Sequence, residues 1–184
     1  TNLTNAASND FQPAWSPDGT KIAFGSNRSG ADHIWVMDAD GGNPTELSHM
    51  DGGGEVPDWQ PLPDVEPPGV ERPKKLANDL IVFSSDRVTP SNPEGDSEIF
   101  VMTAIGTNLK QLTANKGLAD TSPSWSPFGK KIAFARVPPG VTNSDIFTMN
   151  PDGTGLRRLT SSIEPDDAPV YSQNARSIAW VRRI

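Results

Sequence analysis

The sequence predicts an all-β chain, a propeller of four-stranded antiparallel blades, with about four blades in 184 residues and the last one incomplete. Three observations predict it. A phrase of proline, any residue, an aromatic and then Ser or Gln occurs four times, starting at Pro13, Pro57, Pro123 and Pro169. Apolar runs follow each copy at fixed distances. Finally, 16 glycines and 18 prolines leave no uninterrupted stretch suited to a long amphipathic helix.

The phrase itself is the first strand of each unit, and Gly19, Asp79 and Gly129 supply the turn behind it. The second strand is the run KIAF, LIVF, KIAF or SIAW, ending at Phe24, Phe83, Phe134 and Trp180. Its aromatic end follows the proline at one constant interval in three units, Pro13 to Phe24, Pro123 to Phe134 and Pro169 to Trp180. From Pro57 to Phe83 the interval is more than twice as long. The excess contains the Pro- and Glu-rich segment at 62–75, either an insertion within one blade or a join between two propeller pieces; otherwise residues 1–184 read as a single domain.

The third strand is HIWVM, EIFVM or DIFTM, followed by the turns DADGG, TAIGT and NPDGT. Ile34, Ile99 and Ile146 are each followed, at an identical spacing, by Leu47, Leu112 and Leu159, which mark the fourth strand. Leu3 precedes Pro13 by the same interval as Leu47 precedes Pro57, so Leu3-Thr4 reads as the tail of an earlier unit. The second strands are nearly continuous apolar runs, as expected where both sheet faces are covered. A tryptophan ring buries on the order of 200 Å², so Trp15, Trp59 and Trp125, with Tyr171, read as wedges between neighbouring blades.

The fourth unit carries only its first two strands. Three arrangements follow: a four-bladed ring with one thin blade, a ring of about eight completed by a second copy, or an excerpt of a longer propeller. The first residue, Thr rather than Met, also suggests a processed or excerpted piece. An open edge of unpaired N–H and C=O groups invites a protein partner or a second copy of the chain.

A net charge of −7 opposes a phosphate backbone, and no basic cluster is interleaved with aromatics, which excludes nucleic-acid binding. No apolar run approaches the length of a membrane span, so no membrane insertion is expected. The absence of cysteine rules out disulfides and thiolate metal sites.

At these residues the chain resembles a known family. Pro-x-Trp-Ser-Pro-Asp-Gly-x-Lys-Ile-Ala-Phe-x-Ser-x-Arg-x-Gly, then Ile-Trp-Val-Met-Asp-Ala-Asp-Gly-Gly and a Leu-Thr-like ending, is similar to the repeat of TolB-like β-propellers. Departures are Phe128 in place of the turn Asp, SQNARS in the last unit, and Arg136-Val137-Pro138 where Ser-Asn-Arg would stand. The resemblance implies a protein-binding domain of a bacterial periplasm or the cell exterior, or a propeller beside a catalytic domain. Similar repeats form the non-catalytic propeller of some serine peptidases and the whole of some pectate-fragment lyases.

Two sets of polar residues are candidate sites. Asp10, Glu55, Asp120 and the pair Asp166-Asp167 precede the repeated prolines and would point toward one mouth of a central channel. Like charges so placed favour a cation, with Asp10, Glu55, Asp120 and Asp167 as ligands, or a basic partner; alternatively they bond turn N–H groups. The second set is loop-borne: Arg28 with Asp32, Arg87 with Asp86, Asp96 and Glu98, and Asp145. It reads as ion pairs that tie the loops down, or as oxygen-rich loops for calcium. No cofactor is required. His33 and His49 occupy nonequivalent positions, and no Gly-x-Ser-x-Gly elbow is present, so no catalytic residue is assigned. The expected function is a non-catalytic interaction or scaffold module. Alternatives are the accessory propeller of a larger hydrolase or lyase, and a carbohydrate binder using Trp35 or Trp180.

Overall fold

A computed structural model describes residues 2–48, 53–61, 80–137 and 143–183. The turn at Asp79, the 62–75 segment and His49 lie outside them. The first sheet is a meander of β1 (Asp10–Trp15), β2 (Lys21–Ser26), β3 (His33–Asp38) and β4 (Thr45–Glu46). The second repeats it with β5 (Gly54–Trp59), β6 (Leu80–Ser85), β7 (Glu98–Thr103) and β8 (Lys110–Gln111). The third has β9 (Ala119–Trp125), β10 (Ile132–Val137), β11 (Asp145–Met149) and β12 (Arg157–Arg158). A two-stranded sheet of β13 (Asp166–Tyr171) and β14 (Ile178–Arg182) follows. The first strands lie side by side, β1 against β5, β5 against β9 and β9 against β13, so the sheets succeed one another around an axis.

Local chemistry makes each blade. In the first hairpin a serine holds the turn: the hydroxyls of Ser16, Ser126 and Ser172 accept from the N–H of Lys21, Lys131 and Ser177 at 2.8, 2.9 and 3.0 Å. In the second unit Gln60 N–H donates to the Leu80 carbonyl at 2.7 Å, so β5 and β6 pair directly despite the intervening segment. At the far end, Ser48, Thr113 and Thr160 accept from the N–H of Ile34, Ile99 and Ile146 at 2.8, 2.9 and 2.9 Å. That repeated hydroxyl explains the Ser or Thr after each marker leucine.

The residue before each repeated proline was expected in extended strand. It is left-handed instead: Gln12, Val56, Ser122 and Ala168 have φ of 50°, 52°, 52° and 48°. The pairing register slips at the same place in every blade, a β-bulge that inserts one residue and re-aims the aromatic behind it.

Packing between blades is done by those aromatics. Trp59 is 3% exposed, packed among Ala23, Ile34 and Val36 of the first sheet and Ile81 and Phe83 of its own. Its indole N–H donates to the Ala14 carbonyl at 2.9 Å. Trp125 is 4% exposed among Val82, Ile99 and Val101 of the second sheet and Ile132 and Phe134 of its own. Each ring thus faces the preceding blade. Trp15 departs from the expected wedge: it is 57% exposed, because among the described residues no sheet precedes β1. Tyr171 is half-buried.

A second contact repeats at the rim. Gly41, Gly106 and Gly153 have φ of 90°, 76° and 91°, and a Cβ there would lie 2.7, 2.9 and 2.6 Å from the carbonyl oxygens of Leu3, Leu47 and Leu112. Only glycine combines that φ with that approach. Leu3 stands to Gly41 as Leu47 stands to Gly106, the place of an outer strand of an earlier unit. Truncating Trp59 or Trp125 to Ala is expected to cost about 3–5 kcal/mol in chemical denaturation. The same change at Trp15 is expected to cost no more than about 1–2 kcal/mol, since so much of its ring already meets water.

Candidate functional site

The loop-side end of each blade joins the start of its first strand to the end of its second, and charge collects there. Asp10 accepts from Arg28 at 2.9 Å and from Ser26 at 2.5 Å. Asp120 forms a two-pronged pair with Arg136 at 2.6 and 2.7 Å, and Asp166 a matching pair with Arg182 at 2.7 and 3.0 Å. Asp120 and Asp166 are fully buried. The guanidinium groups lie on aromatic faces, Arg28 over Phe24 and Trp35 at 5.1 and 4.9 Å, and Arg136 over Phe134 and Phe147 at 5.4 and 5.1 Å. Burial pushes the Asp10 carboxyl up, but hydrogen bonds from Ser26, Thr4 and Arg28 outweigh it and hold it below its ordinary value. Asp166 is held down by its hydrogen bonds from Arg182, against burial.

The acidic candidates are therefore not one ring. By cross-strand register the equivalent residues are Asp10 opposite Ser26, Gly54 opposite Ser85, Asp120 opposite Arg136 and Asp166 opposite Arg182. Glu55 and Asp167 stand one residue further on, and a one-residue shift along a strand changes the face. Asp167 accepts from Ser122 at 3.0 Å, while Glu55 is exposed. Burial, with the nearby charges of Asp32 and Asp86, raises the Glu55 pKa. Among the described residues, no three His, Asp or Glu side chains are grouped to hold a metal ion.

The loop pairs are also drawn differently from expectation. Arg28 turns to Asp10 rather than to Asp32. Arg87 donates through Nε to Ser85 at 3.2 Å and lies over Phe83 and Phe100, but among the described residues its two terminal nitrogens have no hydrogen-bond partner. Asp86 accepts from the Gly53 N–H at 2.5 Å. Both Asp96 oxygens are buried without a hydrogen-bond partner. Asp145 takes Arg158 at 2.5 Å, a cation from the outer strand.

Glu98 is fully buried and accepts from the Thr113 hydroxyl at 2.5 Å and the Asn115 N–H at 2.7 Å. The Asn115 amide also reaches Asp120 at 3.1 Å, so Glu98, Asn115, Asp120 and Arg136 form one network between the second and third blades. Burial raises the Glu98 pKa, opposed by its donors and reinforced by Asp120 and Asp96. Sequence reasoning missed Asn115, Arg136 and Arg182. The repeat did hold a signal for both arginines, which stand where Ser26 and Ser85 end the earlier second strands. It also missed Asp58, which crosses between blades to accept the Trp125 N–H at 2.6 Å. Burial pushes Asp58 up to about 6, against hydrogen bonds from Trp125, Trp59 and Ser124.

Ser29 and Glu46 both meet His33 at Nδ1, the serine at 3.0 Å. A serine–histidine relay needs the hydroxyl at one ring nitrogen and the acid at the other, so this cluster is not one. Asp38, opening the DADGGN turn, is taken by Lys21 at 2.5 Å and Asn43 at 2.7 Å. Trp180, 42% exposed, borders a cleft of about 290 Å³ with Ile146, Leu159, Tyr171 and Ile178. Among the described residues, no helix is long and apolar enough to cross a membrane.

No family model matches the chain. A protein TolB homolog of Chlorobium luteolum is 30% identical over 157 residues, covering 85% of this chain and 30% of that one. The Tol-Pal system protein TolB of Gluconobacter oxydans is 44% identical over 62 residues, 34% of this chain and 13% of that one. The chain thus spans less than a third of these relatives. The solved structure of a putative TolB from Agrobacterium tumefaciens superposes with a TM-score of 0.69 at 21% identity, over 97% of this chain and 61% of that one. An oligogalacturonate lyase and a puromycin hydrolase share the fold at TM-scores of 0.61 and 0.68, each 14% identical, so the fold does not choose between binding and catalysis.

Asp58 binds its proton more tightly in the native state than in the unfolded chain. Stability from this group is therefore greatest near pH 4 and falls as pH rises through about 6. Asp58→Asn, which keeps an acceptor for Trp125, is expected to match the parent near pH 4 and exceed it by about 1–2 kcal/mol at pH 7.5, the value reduced for partial exposure. Denaturant titrations at the two pH values check it.

Proposed function

The chain is a TolB-like β-propeller, and we propose that it serves as a non-catalytic interaction module that receives a basic segment of a partner protein. One observation carries the reading. At the loop-side end of the first two blades burial, and then the charges of Asp32 and Asp86, raise the Glu55 pKa, while the neighbouring arginines Arg28 and Arg87 are turned inward onto aromatic rings. Negative charge is left facing the solvent with its natural counterions withdrawn. A net charge of −7 extends the same field over the whole chain.

The family resemblance supports protein partners and a periplasmic setting, and one relative is named as a Tol-Pal system protein. A role as the accessory propeller of a hydrolase or lyase draws support only from fold neighbours. Calcium is the competing partner of this acidic face, although among the described residues no three of its side chains are grouped to hold an ion.

Titration with a lysine-rich peptide tests the reading. Binding is expected to weaken with added salt, and about fivefold or more in the double variant Glu55→Gln, Asp86→Asn. Equal affinity in parent and variant would refute it. Melting shifted by calcium, reversed by chelator and absent in the double variant, would replace the basic partner with the cation.

A further inference from the structure

In the first three blades an arginine lies on the aromatics of its own blade, and in the first and third a carboxylate from the first strand neutralises it; the second blade has only the arginine half. Arg28 and Arg87 are built alike. Each donates through Nε to the serine two residues before it, at 3.0 and 3.2 Å, and each spreads over the two aromatic rings of the second and third strands. Arg28 then finds Asp10. In the second blade the register position of Asp10 is Gly54, which has no side chain to offer. Ser85, whose counterpart Ser26 bonds the carboxylate, turns to the Gly53 carbonyl instead.

Arg87 is 2% exposed, and both terminal nitrogens are buried without a hydrogen-bond partner among the described residues. Of the nearby carboxylates Asp86 accepts elsewhere, and both Asp96 oxygens are buried without a hydrogen-bond partner among the described residues, so neither bonds the fork of Arg87. Asp86 is bonded to the Gly53 N–H, and Asn92 anchors the loop by donating to the carbonyls of Arg87 and Asp96 at 3.1 and 2.7 Å. A buried guanidinium with an unused fork is costly, and it matches a planar carboxylate in geometry. Beside it lies a cleft of about 410 Å³ whose wall includes Arg87, Val88, Pro90, Phe100, Leu109 and Gln111. That volume is in the range of small-ligand pockets, and Val88, Pro90, Phe100 and Leu109 give the wall apolar faces beside one cation and the polar Thr89, Ser91 and Gln111. Phe100, under the guanidinium, is also part of that wall.

We propose that Arg87 anchors a binding site for an organic carboxylate with an apolar body, the ligand lying in this cleft and its carboxylate pairing with the unused fork of Arg87 as Asp10 pairs with Arg28. The carboxylate comes either from a free small acid or from the terminus of a peptide ending in an apolar residue. Affinity then depends on the charge and on the apolar wall together, unlike the salt-sensitive acidic face of the first two blades.

Calorimetry on the whole chain tests this with four probes: 3-phenylpropanoate, 3-phenylpropanol, and a short peptide ending in Phe with a free or an amidated terminus. The acid or the free peptide is expected to bind at least about tenfold more tightly than its uncharged counterpart. Binding of the acid alone assigns a small molecule, and stronger binding of the free peptide assigns a chain terminus. Arg87→Lys, which keeps the positive charge but loses the fork, is expected to weaken binding about tenfold, and Arg87→Gln to abolish it, with far-UV circular dichroism confirming that both variants fold. The proposal is overturned if neither carboxylate probe outbinds its neutral partner in the parent protein. It is equally overturned if folded Arg87→Lys and Arg87→Gln bind as the parent does.

Discussion

Everything in this molecule depends on how one blade closes against the next. A four-stranded sheet apolar on both faces is not stable alone in water, and in the first two blades the face toward the following blade is sealed by that blade's tryptophan. Trp59 fills the first junction and Trp125 the second, and a glycine turn lets the outer leucine of one blade approach the backbone of the next. The bulge before each repeated proline gives the tryptophan its aim. It uses left-handed conformations at Gln12, Val56, Ser122 and Ala168, which are unfavourable for non-glycine residues and most so for the β-branched Val56. The same local strain in all four units marks it as part of the blade's construction.

Packing of this kind dictates where charge can go. The space between the rings and the loop side is filled by guanidinium groups lying on aromatics, and these draw first-strand carboxylates inward, as Asp120 shows with Arg136. A buried ion pair contributes little net stability against an apolar filling, yet removing one partner is costly. Incomplete pairs therefore stand out. Among the described residues Arg87 lacks its carboxylate, whereas Glu55 is exposed and has no arginine bonded to it. We propose the first as a site for a negative ligand and the second as part of a surface for a positive one.

Much of the fold was legible in the sequence because repetition turns weak local signals into a ruler. The constant intervals from proline to aromatic and from isoleucine to leucine located the second, third and fourth strands, and the fourth unit ends after two strands as the count implied. The site was less legible. The strand face of a carboxylate hangs on a one-residue register, and the bulge hides that register, so Glu55 and Asp167 were grouped with Asp10 although Gly54 and Asp166 are the true equivalents. Partners contributed by other strands, such as Asn115 to Asp120 or Arg158 to Asp145, leave no mark at fixed spacing. Trp15 shows the remaining limit. Its phrase matches Trp125, but burial depends on a neighbouring sheet, which no residue of its own unit can supply.

Hydrogen exchange of the indole N–H groups, followed by nitrogen-edited NMR, tests the radial packing most directly. The account predicts that the Trp59 indole, bonded across the junction to Ala14, exchanges orders of magnitude more slowly than that of Trp15. Equal, fast exchange at Trp59 and Trp15 would contradict it, since no sheet could then be closed against its neighbour by that ring.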